Sequence, residues 1–450
     1  MIKKVYYLPK GTEPTAQVIN NLLNGSIRKK QIEHYDKLYS YMMNEAVVSR
    51  EAPHKILAVT NFARYISKTN VGYLLGNPVQ YLASEQYNID AITDLYRKQT
   101  ISKLDVELAK DASVFGHAFE RIYTDENSES WSTRVDPRNV ILVYDDTVKH
   151  EKMFAIVYVP SYDEKGDVID NQFEATILTP TMVMERTLKN GELIGNEEDD
   201  SVHSFGEVPI IEYPNDSDRV GDFEPVISLI DAYNILQSDR VIDRERLVDA
   251  ILAFYGSDFD EKQRKELKDS RIIANMPEGS KIEYVIKNID EADADVLRQT
   301  IATDIHKISM TPDMSDENFA GNSSGVAILY KLLAFEQHIK DKERYFEDSL
   351  MDRFRIYNQF LVTKSSMSIV PTEEIDAVFK RALPQNDLET SQMINNLVGS
   401  GIVDKETLAA QLSFVQDAKE TVELAEAEAS EDMDLGNYGT DKPNDNEDEE

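Results

Sequence analysis

From Val326 to about Lys364 the apolar residues recur at three- and four-residue intervals, through Leu329, Leu332, Leu333, Phe346, Leu350, Phe354, Tyr357 and Leu361. That period predicts one continuous helix of roughly 55–60 Å, far longer than an average globular helix. A chain built on such a rod must arrange its other parts along it. Upstream, Phe205-Gly-Glu-Val-Pro-Ile-Ile-Glu-Tyr-Pro-Asn-Asp reads as a hydrophobic strand and turn. Asp222 to about Ala250 reads as a long helix with Val226, Leu229, Ile230, Tyr233 and Leu236 as its early apolar stripe. Its later turns, Asp239 to Arg246, are densely charged with mixed sign; such a face is solvated, or pairs through salt bridges with identical helices.

An insert over 251–288 carries a strand-like Ile251–Gly256, a short charged helix and two strands flanking Pro277-Glu-Gly279. It holds seven acidic and seven basic residues, so it is locally neutral inside a very acidic chain and suits a docking surface. The segment 289–310 returns as a helix with Leu297, Ile301, Ile305 and Ile308 in register. Thr311-Pro312 ends it, because proline lacks the donor and disfavours helix at the residue before it. Asp313 to Gly325 is polar and flexible. Helix, insert, helix, loop and rod in this order suit a component of a repeated assembly better than a catalyst.

The first third is mainly helical. Ile27 to Met43 places Ile32, Tyr35, Tyr39 and Met42 on one face, and Ile56 to Leu75 stays helical until Gly76-Asn77-Pro78. Ile89 to about Ala112 reads as one further helix with Ile92, Leu95, Leu104 and Leu108 in the core. The period then changes. Runs from Val114, Asn139, Phe154 and Phe173 are short and rich in β-branched and aromatic residues, so 113–214 reads as a β-rich region. After Leu383-Pro384 two or three short helices are expected, and from Thr421 an acidic, disordered tail. The fold class expected is α+β, mainly α.

Composition narrows the function. No apolar run is long enough to span a bilayer, and the N-terminus lacks the pattern of a signal peptide. The chain has no cysteine, which removes disulfides, thiolate metal sites and cysteine nucleophiles. A formal charge of −35 excludes strong, sequence-independent DNA binding through a basic surface, while suiting a conduit that DNA passes without sticking.

The chemical inventory is thin. No phosphate-loop motif occurs, so the chain is not itself an ATP-driven motor of that kind, and Gly321-Asn-Ser-Ser-Gly325 reads as a connector. The histidines show no metal-ligand spacing. Asp145-Asp146 and Glu197-Glu-Asp-Asp200 could bind divalent cations, but acids near turns are expected to face water; Asp258 and Asp260 are equally unremarkable. No cofactor, metal or catalytic residue is expected.

Several motifs in fixed order resemble one family. They are Asn61 to Val79, containing Gly72-Tyr-Leu-Leu-Gly-Asn-Pro78, then the Phe205–Asp216 strand, Gly221-Asp-Phe-Glu-Pro-Val-Ile-Ser-Leu-Ile-Asp-Ala-Tyr-Asn234, and Ser324-Gly-Val-Ala-Ile328 with the rod behind it. The sequence resembles the portal proteins of tailed bacteriophages, in the branch of siphophages of Gram-positive hosts. The resemblance implies a ring of about twelve copies at one capsid vertex. It implies a wing over 1–222, with the long helix and following strand of 326–382, and stem helices over 223–250 and 289–310. The clip would be 251–288, a tunnel loop 311–325 and a crown 383–420, leaving 421–450 as the tail.

On the same resemblance Asp313, Asn318, Phe319, Gly321, Asn322, Ser323, Ser324 and Gly325 form the loop that approaches DNA. Lys307 and Lys331 flank it as possible positive rings. Lys262, Arg264, Lys265, Lys268 and Arg271 are the expected clip contacts. Implied partners are the terminase large subunit, the head–tail connector, the major capsid and scaffolding proteins, and double-stranded DNA. The implied location is the virion vertex, with a host-cytoplasmic stage during assembly. Two other readings stay open: a phage scaffold or adaptor without a channel, and a metal-dependent nucleic-acid enzyme.

Overall fold

The structure is a computed structural model that describes residues 4–45, 58–190, 192–195, 200–248, 251–255, 279, 281–285, 291–314, 325–365, 368–381, 387–398, 403–409, 412, 415, 421–422 and 424–427. The described residues combine helices with paired strands, which places the fold in the α+β class. Two compact units are present, Met1–Asn322 with Ile328–Ala382, and Ser323–Ala327 with Leu383–Glu450.

The chain begins with strand β1 (Tyr6–Leu8) and helices α1 (Ala16–Asn24), α2 (Ser26–Met43) and α3 (Phe62–Leu75). Strand β2 (Gln80–Ala83) leads to α4 (Asp90–Lys98) and α5 (Ile101–Phe115). A β region follows with β3 (His117–Thr124), β4 (Ser130–Val135), β5 (Val140–Asp145), β6 (Lys152–Tyr162) and β7 (Val168–Leu178). It continues with β8 (Met182–Lys189), β9 (Glu192–Ile194), β10 (Ser201–Val202) and β11 (Ile210–Pro214). Next are α6 (Ile227–Val248), β12 (Ile251–Tyr255), β13 (Lys281–Val285), α7 (Glu291–Ile308), α8 (Gly325–Ser365) and β14 (Ile375–Val378). The second unit holds α9 (Asp387–Val398) and α10 (Lys405–Ala409).

The β region forms a seven-stranded sheet, ordered β1-β5-β6-β7-β8-β10 with β9 on β8, and a three-stranded sheet ordered β11-β3-β4. Strand alternation puts Ile141 and Val143 on one face, against Ile19 of α1. Val140 and Leu142 point the other way, into a core with Phe119, Val208 and Ile210. A helical core gathers Tyr35 and Leu38 of α2, Phe62 and Ile66 of α3, Phe115, and Ile230, Tyr233 and Ile305 of α6 and α7. Strands β12 and β13 pair antiparallel between α6 and α7, with Ile251 opposite Val285. Asp258, Asp260 and the remainder of the insert lie outside the described residues.

Several expectations are corrected. The single helix over Ile89–Ala112 is two, broken at Thr100, whose φ of 53° is left-handed. The strand expected from Val114 begins at His117, because Val114 and Phe115 still belong to α5. Gly116 makes that change of direction at φ 85°, where a Cβ would lie 1.8 Å from the carbonyl oxygen of Arg219. Asp145 does not face water. It is buried and accepts from the Thr147 and Glu151 amides at 3.3 and 3.0 Å, closing its own turn. Asp200 pairs with Arg186 at 2.6 Å, and its side chain is largely buried. Leu297, Ile308 and Leu333 follow the apolar period of their helices, yet are 50%, 51% and 53% exposed.

Candidate functional site

The polar loop after α7 starts from a clamped point. Helix α7 stops at Ile308 and Met310 turns the chain at φ 54°, in the left-handed region. The Tyr65 hydroxyl of α3 donates to the Pro312 carbonyl at 2.8 Å and accepts from the Met314 amide at 2.9 Å. Thr311 is fully buried and its hydroxyl meets Asn70 Oδ1 at 3.1 Å. His306 Nδ1 donates to the Thr311 carbonyl at 3.0 Å, and its ring packs edge-on against Phe62 and Tyr65 at 5.7 Å. Backbone groups 311–314 are thus held by side chains of α3 and by the preceding helix.

The same helix also holds the rod beyond the loop. Tyr73 packs on Phe335 at 4.7 Å and donates to Glu336 Oε2 at 2.6 Å. Burial and the adjoining Glu336 carboxylate push the Tyr73 phenol above its ordinary range. Arg381 binds Glu336 at 3.1 Å, contacts Glu343, and lies 5.6 Å over the Tyr73 ring. Asn77 Nδ2 donates to the Lys380 and Arg381 carbonyls at 3.2 and 3.3 Å.

Two buried polar knots fix α8 to the rest of its unit. Lys342 reaches both oxygens of Asp222, at 2.8 and 2.6 Å, and Asp222 also accepts from Ser113 and Asn215. Burial alone would raise the Asp222 carboxyl, but Lys342, His338 and Ser113 outweigh it and hold it at about 2. Arg353 is wholly buried, with Nε 2.9 Å from both oxygens of Glu120 and Nη1 2.7 Å from Asp105. Between α6 and α7, Arg240 reaches Asp295 at 3.7 Å, so part of the mixed charge on α6 is used within the chain.

Of the residues expected at the loop, Asp313 is half-exposed and 3.9 Å from His306 Nε2, and Gly325 is the first residue of α8. Asn318, Phe319, Gly321, Asn322, Ser323 and Ser324 lie outside the described residues. Lys307 is exposed on the last turn of α7; Lys331 stands in α8, its side chain outside the described set. Lys262, Arg264, Lys265, Lys268 and Arg271 also lie outside it. Among the described residues no group of three or more His, Cys, Asp or Glu could hold a metal ion, and no helix is long and apolar enough to cross a membrane. The anchors Tyr65, Asn70, His306 and Arg381 were not singled out from sequence. Tyr73 was visible only as a letter in the Gly-Tyr-Leu-Leu-Gly motif.

The family model for phage portal proteins of the SPP1 Gp6-like kind matches residues 26–435. The chain belongs to this portal family. The portal protein of Bacillus phage SPP1 is 24% identical over 456 aligned positions, which cover 95% of this chain and 86% of that protein. In this portal-family chain the clamp on the loop is open to direct test. Tyr65→Phe removes both hydrogen bonds of the hydroxyl, and is expected to lower stability by about 1–2 kcal/mol. Hydrogen exchange at the Met314 amide should accelerate while exchange in the β region stays unchanged. Unaltered exchange at Met314 would show that the clamp does not hold the loop.

Proposed function

We propose that the chain is the portal subunit of a tailed-phage head, about twelve copies closing a ring at one vertex. Double-stranded DNA is packaged through that ring and later ejected through it. The observation that carries this reading is the clamp, in which α3 holds residues 311–314 through Tyr65 and Asn70 and holds α8 through Tyr73. A loop meant to meet a moving duplex needs a fixed origin. In this reading α6 and α7 are the stem, 251–288 the clip, 311–325 the tunnel loop and 383–420 the crown. The wing comprises 1–222 with 326–382.

Val296, Leu297 and Tyr330 are 62%, 50% and 75% exposed, and such apolar positions suit contacts between neighbouring copies. The charge of −35 per copy keeps the duplex sliding. The role is mechanical: ATP hydrolysis belongs to a terminase that docks with the clip, followed later by the head–tail connector. Capsid and scaffolding proteins meet the ring during assembly in the host cytoplasm, and the ring ends in the virion.

Electron micrographs of the purified protein are expected to show rings with a central hole; particles without a hole would favour a scaffold or adaptor. Deletion of Met314–Ser324 should leave rings intact and abolish DNA filling of heads. Normal filling by that deletion would overturn the tunnel-loop assignment.

A further inference from the structure

Residues 4–10 tie together elements that lie far apart in the chain. Strand β1 pairs in parallel with β5 at one end of its sheet, Tyr6 opposite Val143 and Leu8 opposite Asp145. Just before it, the Lys4 side chain is only 6% exposed and its ammonium donates to three groups. They are the Phe115 carbonyl at the end of α5 at 3.0 Å, the Arg219 carbonyl at 2.6 Å and Glu224 Oε2 at 3.2 Å. A cation against the last carbonyls of α5 also meets the negative end of that helix. Glu224 opens the short turn that leads into α6, and its other oxygen is 2.8 Å from His34 of α2. The socket depends on Gly116, where a Cβ would lie 2.9 Å from the ammonium. Gln31 of α2 also grips the strand: its amide nitrogen donates to the Lys4 carbonyl at 3.2 Å and its amide oxygen accepts from the Tyr6 hydroxyl at 2.9 Å. At the far end, Lys10 reaches Glu151 at 3.2 Å and its amide donates to Asp146 Oδ1 at 3.1 Å.

The approach to α6 is thus held at two points of different kind. Asp222 is bound by Ser113 and Lys342, which sit on α5 and the rod. Glu224 is bound by Lys4, which sits on a short peripheral strand. That strand is three residues long, lies at a sheet edge and is paired in parallel, the weaker ladder. Gly11 follows it, exposed, at φ 84° and with open space where a Cβ would stand, so the chain can pivot there.

We propose that residues 4–10 are a strap that locks the entry to α6. With β1 seated, Lys4 pins residues 219–224 to the end of α5. When β1 leaves the sheet edge the ammonium goes with it, and Glu224 keeps His34 and the Gly221 amide as partners. The entry to α6 then loosens while Asp222 still holds the rod. The strap couples the sheet edge to α6, and does so whether or not the assembled chain conducts DNA.

The chain has no cysteine, so Tyr7→Cys with Tyr144→Cys, partners in the β1–β5 ladder, lets a single disulfide hold the strap in place. Hydrogen exchange over 219–226 is compared between the oxidised and reduced forms of that one protein. Oxidation is expected to slow it about tenfold, with exchange in β7 and β8 unchanged. Lys4→Met, which removes the pin and leaves the strand, should speed it about tenfold, again without change in β7 and β8. Equal exchange in the oxidised and reduced forms overturns the inference, because release of the strap then does not govern the entry to α6. Unaltered exchange over 219–226 in Lys4→Met overturns it as well. So does an acceleration that spreads equally over β7 and β8, which marks a general loss of stability. If Lys4→Met does not fold, the comparison of oxidised and reduced forms decides alone.

Discussion

Replacing Arg353 with methionine is expected to destabilise the fold by about 3–5 kcal/mol. The guanidinium is fully buried, bound to Glu120 and Asp105, and lies 5.6 and 5.9 Å from the rings of Tyr213 and Tyr96. Tyr213 adds a hydrogen bond of 2.5 Å to Glu120. Removing the cation leaves two buried carboxyls facing each other. Burial already pushes Asp105 above its ordinary range with Arg353 present, so the variant must take up a proton or let water in. Urea unfolding of the full chain reads the loss. The cause can be separated from a simple packing defect: adding Glu120→Gln and Asp105→Asn should recover much of the stability, because the uncompensated charges go with them. Equal or greater instability of the triple variant would assign the effect to packing alone.

Arg353 also shows where sequence reading fails. On α8 the buried stripe includes Phe346, Leu350, Arg353, Phe354 and Tyr357; a search for apolar period finds the others but passes over the arginine. Helix α2 repeats the pattern. Ile32, Tyr35, Tyr39 and Met42 were the expected face, while the buried residues are Arg28, Gln31, Tyr35, Leu38, Tyr41 and Met42. A charge on a helical stripe reads as solvent-facing unless its partners are known, and those of Arg353 lie 233 and 248 residues away. The rod itself was legible, Val326–Lys364 against an observed Gly325–Ser365, because its period is uninterrupted. Leu297, Ile308 and Leu333 fail for the opposite reason: they follow the period, but nothing among the described residues covers them. The Tyr65 clamp joins positions about 250 residues apart, a pairing that no local pattern encodes.

Asp222→Asn is expected to cost about 3 kcal/mol at neutral pH, because it strands the Lys342 ammonium, only 7% exposed, beside a neutral amide. Its pH dependence distinguishes this from a loss of shape. The Asp222 carboxyl is held at about 2 in the folded chain, below the ~3.9 of an unfolded aspartate. A folded-state value below the unfolded one contributes stability above the unfolded value and loses it as pH falls toward the folded one. That contribution, roughly 2 kcal/mol, should therefore be complete above about pH 5 and fade between about pH 4 and 2. Glu224 is also drawn down to about 2, since His34 and Lys4 outweigh its burial, so both proteins weaken in that window. The difference between wild type and Asp222→Asn cancels the Glu224 contribution and isolates the Asp222–Lys342 pair. Urea midpoints measured in parallel from neutral to acid pH should converge as the carboxyl of Asp222 protonates. A constant gap across the whole range would mean that the ion pair, though short and buried, is not what holds the segment before α6 against the rod.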